Sequence, residues 1–221
     1  MRRNIFADKA SFVLRRMLRE PGRKWVLRDF VGEQGISLGL AQAVLEVVES
    51  RGYGERIKRG ALSYTILTNP DLLLSDWVKA YSFDRNIMKT FYFPGSDVLK
   101  RIKAALNGLP YGLTLHAGAN LLTSWVQTDQ VYIYLNPERW TEVLTSVRQL
   151  LGLKELVRGG NIHIVRPFYK NSFFYNAREI RGIRVVSNLQ LYLDLFGFQP
   201  RGFEHAERLK EIVKGRGELL A

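Results

Sequence analysis

The stretch that decides the fold of the N-terminal region is GISLGLAQAVLEVVESRG, residues 35–52. Its apolar residues recur at intervals of three and four, which is the spacing of one helix face. The residues in line on that face are Ala41, Leu45 and Val48. Ser37 stands where serine commonly caps a helix, and Gly52 follows the last helical residue. The pattern predicts a largely buried helix over residues 38–51, entered through a tight turn.

Two shorter helical patterns precede this helix, and a hairpin pattern follows it. The first covers residues 11–19 and stops at a Pro-Gly pair, and the second covers residues 26–33. Residues 53–67 are typical of two strands around a basic turn. The order helix, helix, turn, helix, basic hairpin predicts a winged helix-turn-helix domain over residues 1–70 that binds double-stranded DNA.

The side chains expected to contact DNA lie on the polar stripe of the helix, before the turn and in the hairpin. The polar stripe could face the major groove, where Gln42 can bond adenine through two hydrogen bonds. The cations suit phosphates, which position a protein without specifying a sequence. The predicted DNA-contacting residues are Lys24, Arg28, Ser37, Gly39, Gln42, Arg56, Lys58 and Arg59. The alternative is a protein-interaction module, a role that winged helices also serve.

The remaining residues, 71–221, predict an α/β domain with closing helices. After a connecting helix at residues 71–81, strand patterns alternate with helix patterns. The predicted strands are residues 89–93, 112–116, 131–135, 161–165 and 183–186. The predicted helices are residues 97–106, 117–124 and 138–151, with closing helices at residues 188–196 and 203–213. The expected fold class is therefore mixed α/β, with the winged helix-turn-helix in front.

Composition limits the possible partners and compartments. Lys and Arg outnumber Asp and Glu by 33 to 21, so the net charge of +12 favours an anionic partner. Residues 1–70 hold 13 of the basic and 7 of the acidic side chains, which is half of the excess. No apolar run approaches the roughly 18 residues of a membrane-spanning helix, and the start lacks a secretory core. We expect a cytoplasmic protein without a membrane partner.

The sequence offers no clear catalytic, metal or cofactor motif. The chain has no cysteine, which excludes disulfides, thiol nucleophiles and thiolate zinc sites. Gly95-Ser96 is similar to the glycine-serine step of nucleotidyltransferases, but paired carboxylates are missing and Asp129 stands alone. The histidines lie far apart without metal-ligand spacing; they are His116, His163 and His205. We expect no enzyme activity, no catalytic residue, no metal and no cofactor.

Two segments near the C-terminus resemble the closing signature of AbiEi-type antitoxins. They are VSNLQLYLDL at residues 186–195 and GFEHAERL at residues 202–209. Proteins of that family also carry an N-terminal winged helix and a C-terminal antitoxin domain. The resemblance implies that the N-terminal domain represses its own operon. It also implies that the C-terminal domain counters a toxin of the nucleotidyltransferase type, with direct contact left open.

Within the first of these segments, Gln190 and Asp194 stand four residues apart on one helical face. Side chains in that relation can bond each other, cap the neighbouring backbone or meet a partner. Structural support is the role that we expect for both.

Three functions follow from these patterns. The leading hypothesis is a DNA-binding autorepressor and antitoxin of a type IV toxin-antitoxin system. The second is an enzyme that modifies nucleic acid or transfers nucleotides and that the winged helix only targets. The acids that would have to converge on a cleft in such an enzyme are Asp97, Asp129, Glu138 and Asp194. The third is a transcription factor whose second domain senses a ligand.

Overall fold

The computed structural model describes residues 4–59, 62–216 and 218. The chain divides into two compact units, of which the first ends at Tyr81 and the second runs from Ser82 to Glu218. Helices and strands occur in both units, so the fold class is mixed α/β, as predicted. Within the described ranges, no helix has both the length and the apolar character that a bilayer crossing needs.

The first unit is built from helices and one β-hairpin. Its elements are α1 (Asp8–Arg19), α2 (Leu38–Ser50), β1 (Gly54–Arg59), β2 (Leu62–Leu67) and α3 (Pro70–Ala80). The pattern at residues 26–33 forms a four-residue 3-10 helix, Leu27–Phe30, where we expected a longer helix. It ends early because Val31 adopts extended backbone, with φ −85° and ψ 142°. A second 3-10 turn, Glu33–Gly35, leads into α2.

The core of the first unit comes from the apolar faces predicted by the helical spacing. Its fully buried members include Phe12, Leu14, Met17, Val44, Leu45, Val48 and Trp77. Burial of each such side chain contributes about 1.5–3 kcal/mol. The backbone of Trp25 exchanges two hydrogen bonds of 2.8 Å with Thr65, which adds a short third segment to the hairpin. The hairpin is thereby attached to the chain that precedes α2.

The second unit contains a six-stranded mixed sheet. Its elements are β3 (Ile87–Phe91), α4 (Val98–Ala105), β4 (Tyr111–Thr114), α5 (Leu115–Thr123), β5 (Val131–Leu135), α6 (Trp140–Leu151), β6 (Ile162–Arg166), β7 (Arg178–Ile180), β8 (Ile183–Val185), α7 (Asn188–Phe196) and α8 (Gly202–Gly215). The strand order is β3-β6-β5-β4-β8-β7. The pairs β5/β6 and β4/β8 are parallel and the other three are antiparallel. All five residues of β5 are buried, as expected of a central strand.

The junction between β4 and α5 departs from the predicted strand at residues 112–116. The helix begins at Leu115, whose φ of 52° lies in the left-handed region and turns the chain sharply. A Cβ at Gly118 would stand 3.0 Å from the carbonyl group of Leu113, so glycine lets α5 lie close against the end of the strand. His116 is therefore a helix residue and not a strand residue.

Candidate nucleic-acid interface

The turn before α2 fixes where that helix begins. Gln34 and Gly35 both adopt the left-handed conformation, with φ values of 54° and 66°. Glycine at position 35 adopts it without strain. Ile36 is buried, and exposed Ser37 accepts a hydrogen bond on Oγ from the N–H of Leu40 at 3.2 Å. The predicted serine cap therefore forms. The first turn of a helix carries N–H groups without partners inside the helix, and these favour anions.

The exposed face of α2 carries Gly39, Gln42 and Glu46. Gln42 Nε2 donates a hydrogen bond to Glu46 Oε1 at 3.0 Å. This bond engages one of two amide hydrogens, and a contact to adenine needs only the other hydrogen and the amide oxygen. Glu46 can therefore hold Gln42 in place while Gln42 reads a base. A Cβ at Gly39 would meet no heavy atom within 4 Å, so the backbone there is open to close approach.

Leu38 is the residue on this face that the sequence interpretation missed. As an apolar residue in a largely buried helix, it gave no sign of exposure, yet 51% of it is exposed. The sequence did contain one signal of this exposure, namely the position of Leu38 directly after the cap at Ser37. Helical side chains point toward the N-terminus, so the first residue extends beyond the helix and has no preceding turn to cover it.

The hairpin carries two of the predicted cations on one face of its sheet. Arg56 stands opposite Thr65 and Lys58 opposite Ser63, in an antiparallel register. Lys58 is exposed, whereas Arg56 is half-buried in the middle of β1 and so is not part of the basic turn that we expected between the strands. The side chain of Arg59 lies outside the described part of the structure.

The chain before α2 supplies two further exposed cations. Lys24 directly precedes Trp25, which pairs with the hairpin, and Lys24 Nζ lies 5.2 Å from the centre of the Tyr64 ring. Arg28 is exposed on the 3-10 helix Leu27–Phe30. The fold thus brings Lys24 against Tyr64 of the hairpin, although forty residues separate them in the sequence. Tyr64 is paired with Ile57, so this contact lies on the face of the sheet opposite to Arg56 and Lys58.

A hydrogen-bond network fixes the base of the hairpin against α3. The buried hydroxyl of Tyr53 donates to Asp76 Oδ2 at 2.7 Å, and Arg51 donates to the Tyr53 oxygen at 3.3 Å. Lys79 Nζ lies 3.0 Å from Asp76 Oδ1. The hydrogen bonds from Tyr53 and Lys79 lower the pKa of Asp76, and burial raises the pKa of Tyr53. The hairpin therefore starts from a fixed position.

In the second unit, Gln190 and Asp194 of α7 form a fully buried polar cluster. Gln190 Nε2 donates to Asp194 Oδ1 at 2.8 Å, so these two side chains do bond each other. Thr114 Oγ1 donates to Asp194 Oδ2 at 2.5 Å, and the Tyr134 hydroxyl donates to Oδ1 at 3.3 Å. The carboxylate joins α7 to β4 and β5. Neither side chain reaches the surface, where a partner could meet it.

The region that contains this cluster also carries the sequence match of the chain. A family model described as transcriptional regulator, AbiEi antitoxin, type IV TA system matches residues 66–214, which is more than half of the chain. The chain belongs to this AbiEi antitoxin family. The resemblance at residues 186–209 is confirmed, and the protein is an antitoxin and transcriptional regulator of a type IV toxin-antitoxin system. No curated protein and no solved structure gives a match.

The AbiEi match begins at the end of β2 and extends into α8. It includes the Gln190–Asp194 cluster. The predicted DNA-contacting residues all lie between positions 24 and 59 and precede it, so the family match does not bear on them.

The AbiEi region also contains a buried histidine pair that the sequence spacing did not predict. His116 and His205, 89 residues apart, stack with their Nδ1 atoms 2.8 Å apart. His116 Nε2 lies 3.1 Å from the carbonyl oxygen of Pro200, and His205 Nε2 lies 2.7 Å from Thr123 Oγ1. A carbonyl only accepts, so His116 donates through Nε2. In the neutral pair, His205 Nδ1–H then donates to His116 Nδ1.

Burial sets the charge state of this histidine pair. It lowers the pKa of His205 to about 4, with a further lowering from His116 and Arg201. Burial also lowers the pKa of His116. Both rings are therefore neutral near neutral pH.

Of the four acids named for an enzyme, two meet at one cavity and two lie elsewhere. Asp129, which stands alone in the sequence, shares that cavity with Asp97. Asp97 and Asp129 line a cavity of about 440 Å³ together with Gly95 and Ser96. Asp97 Oδ1 caps α4 by accepting the N–H of Lys100 at 3.0 Å. The other two acids lie elsewhere; they are Glu138, at a separate cavity, and Asp194, in its buried cluster. In the described part of the chain, no three histidine or acidic side chains are arranged to hold a metal ion.

Proposed function

We propose that residues 1–70 form a winged helix-turn-helix that binds double-stranded DNA and that residues 71–221 form the antitoxin domain. The observation that carries the DNA-binding function is the exposed polar face of α2, which begins at a capped and accessible N-terminus. In the complex, α2 enters the major groove and the β1–β2 hairpin follows the adjacent backbone. This is the docking geometry of helix-turn-helix proteins.

The exposed cations support contact with phosphates. Lys24, Arg28 and Lys58 are exposed, and none of them has a carboxylate partner among the described ion pairs. Lysine and arginine that neutralise phosphates release counterions, which makes binding dependent on salt. Ser37 and Gly39 contribute the open backbone at the start of α2. Gln42 contacts the bases.

Membership of a family of regulators and antitoxins supports the choice of the chain's own promoter as the DNA target. Repression there requires the protein to act in the cytoplasm. The second unit counters a toxin of the nucleotidyltransferase type, with Gln190 and Asp194 maintaining its fold from inside. Direct contact with the toxin is not required for this function.

The test of DNA binding is a gel-shift titration on the chain's own upstream DNA and on a scrambled sequence, at two salt concentrations. Lys58→Ala should weaken binding to both sequences and reduce the salt slope by about 1, since one phosphate contact is lost. Gln42→Ala should weaken only the true site, by about 1–3 kcal/mol.

Lys100→Ala is the matched control, because Lys100 is an exposed lysine on α4 in the second unit. Its affinity and salt slope should equal those of the unmodified protein. Equal affinity of the unmodified protein for upstream and scrambled DNA would overturn promoter recognition. An unchanged salt slope in Lys58→Ala would remove the hairpin from the DNA surface.

Toxin neutralisation is tested separately by growth of cells that express the toxin encoded beside this gene. The Gln42→Ala variant should rescue growth as well as the unmodified chain, because the substitution lies outside the antitoxin domain. Loss of rescue in Gln42→Ala would show that neutralisation depends on DNA binding.

A further inference from the structure

Leu38 presents an apolar side chain at the start of α2, where the proposed DNA-binding surface is otherwise polar. It is the first residue after the Ser37 cap, and 51% of it is exposed. Only about half of Leu38 is therefore buried, although a leucine in this helix would be expected to pack fully in the core. The other half of the side chain is accessible to a ligand of the helix N-terminus.

The surroundings of Leu38 place it on the face that carries Gln42. Residues four apart lie one above the other on a helix, so Leu38 and Gln42 share one side of α2. Gly39 adds no side chain beside them, and a Cβ there would meet nothing within 4 Å. An apolar group and an amide therefore stand next to each other with open space at their side.

The major groove has one prominent apolar feature, the C5 methyl group of thymine. We infer that Leu38 packs on a thymine methyl group and is a specificity-determining residue of the DNA contact. The inference rests on the proposed function and adds a base that the polar residues do not read. Phosphates and the polar base edges would gain nothing from a leucine, so thymine is the partner that its chemistry favours.

The helix geometry limits where that thymine lies. Four residues of α-helix rise about 6 Å, and successive base pairs are spaced by about 3.4 Å. The thymine read by Leu38 therefore lies within about two base pairs of the adenine contacted by Gln42.

The experiment removes the methyl group from the DNA and the side chain from the protein. Footprinting first defines the segment of upstream DNA that the protein protects, and each thymine in it is then replaced singly by uracil. At one thymine, the unmodified protein should lose about fourfold in affinity, the equivalent of one buried methyl group. Leu38→Ala should bind the unmodified segment at least fourfold more weakly and should be indifferent to uracil at that position. Leu38→Met, which keeps an apolar side chain, should retain sensitivity to uracil.

Leu72→Ala is the matched control, because Leu72 lies in the first turn of α3 and is 38% exposed. It should keep the affinity and the uracil sensitivity of the unmodified protein. Specific binding without any uracil-sensitive thymine, or equal sensitivity in Leu38→Ala, would overturn the role of Leu38 alone. Failure of the unmodified protein to prefer its upstream DNA would overturn both this role and the proposed promoter recognition.

Discussion

Acidification from pH 7.5 to pH 5 should destabilise the second unit through His205. Burial against His116 and Thr123 lowers the pKa of His205 to about 4, whereas a histidine in the unfolded chain keeps its ordinary pKa of 6.5. A histidine with a lowered pKa contributes stability that is complete above the unfolded value and is lost as the pH falls toward the folded value. The window of this effect therefore runs from about pH 6.5 down to about pH 4.

The size of the effect follows from the two pKa values. With 1.36 kcal/mol for each pKa unit, the free energy of unfolding should fall by about 2 kcal/mol between pH 7.5 and pH 5 on account of His205. The main physical cause is burial, which penalises the charged imidazolium. His116, stacked on His205, and Arg201 lower the pKa of His205 further, because a positive charge on His205 would be repelled by theirs.

The assay compares the unmodified protein with His205→Gln, which keeps a polar side chain but does not titrate. Urea unfolding at several pH values, followed through resolved resonances of the second unit, gives the free energy of unfolding for each protein. The pH dependence of the variant should be shallower by about 2 kcal/mol over this interval, whatever its absolute stability. An equal pH dependence in both proteins would refute the assignment. So would an imidazole resonance of His205 that titrates near pH 6.5.

Two further substitutions test the buried networks. Asp194→Ala removes the acceptor of three buried donors and should lower the free energy of unfolding by about 3–5 kcal/mol, as measured with urea. A loss below about 1 kcal/mol would show that the hydrogen bonds of this cluster do not stabilise the unit. Tyr53→Phe removes a hydrogen bond to the Asp76 carboxylate and should cost about 1.5–3 kcal/mol. The same substitution should raise the pKa of Asp76, which carboxyl-carbon NMR can measure. An unchanged pKa would show that Lys79, and not Tyr53, lowers the pKa of Asp76.

Regular elements with a local pattern could be predicted closely from the sequence. The strand at residues 131–135 and the helix at residues 188–196 have the predicted bounds. Their signals, a run of β-branched and aromatic residues and a helical spacing after a serine cap, depend only on neighbouring residues. The strand Arg178–Ile180 was missed, because three residues with two charges carry no periodic signal.

The candidate site was predicted in part. The Ser37 cap and the polar face with Gln42 follow from the helical pattern alone. The exposure of Leu38 depends on how the preceding turn leaves the start of α2, and the position of Arg56 depends on the register of the hairpin. Both are decided by chain segments that the helical pattern does not include.

The sequence by itself determined the family, through two short segments near the C-terminus. It also determined that a helical region with a hairpin precedes a region of alternating strands and helices. Only the tertiary structure decided which polar groups share the interior. His116 meets His205 across 89 residues, and Asp194 receives bonds from Thr114 and Tyr134 across 80 and 60 residues. Pairs at such separations leave no periodic trace, because the sheet and the helices packed on it bring them together. A buried polar group needs a hydrogen-bond partner. Which residue becomes that partner depends on how the whole unit packs.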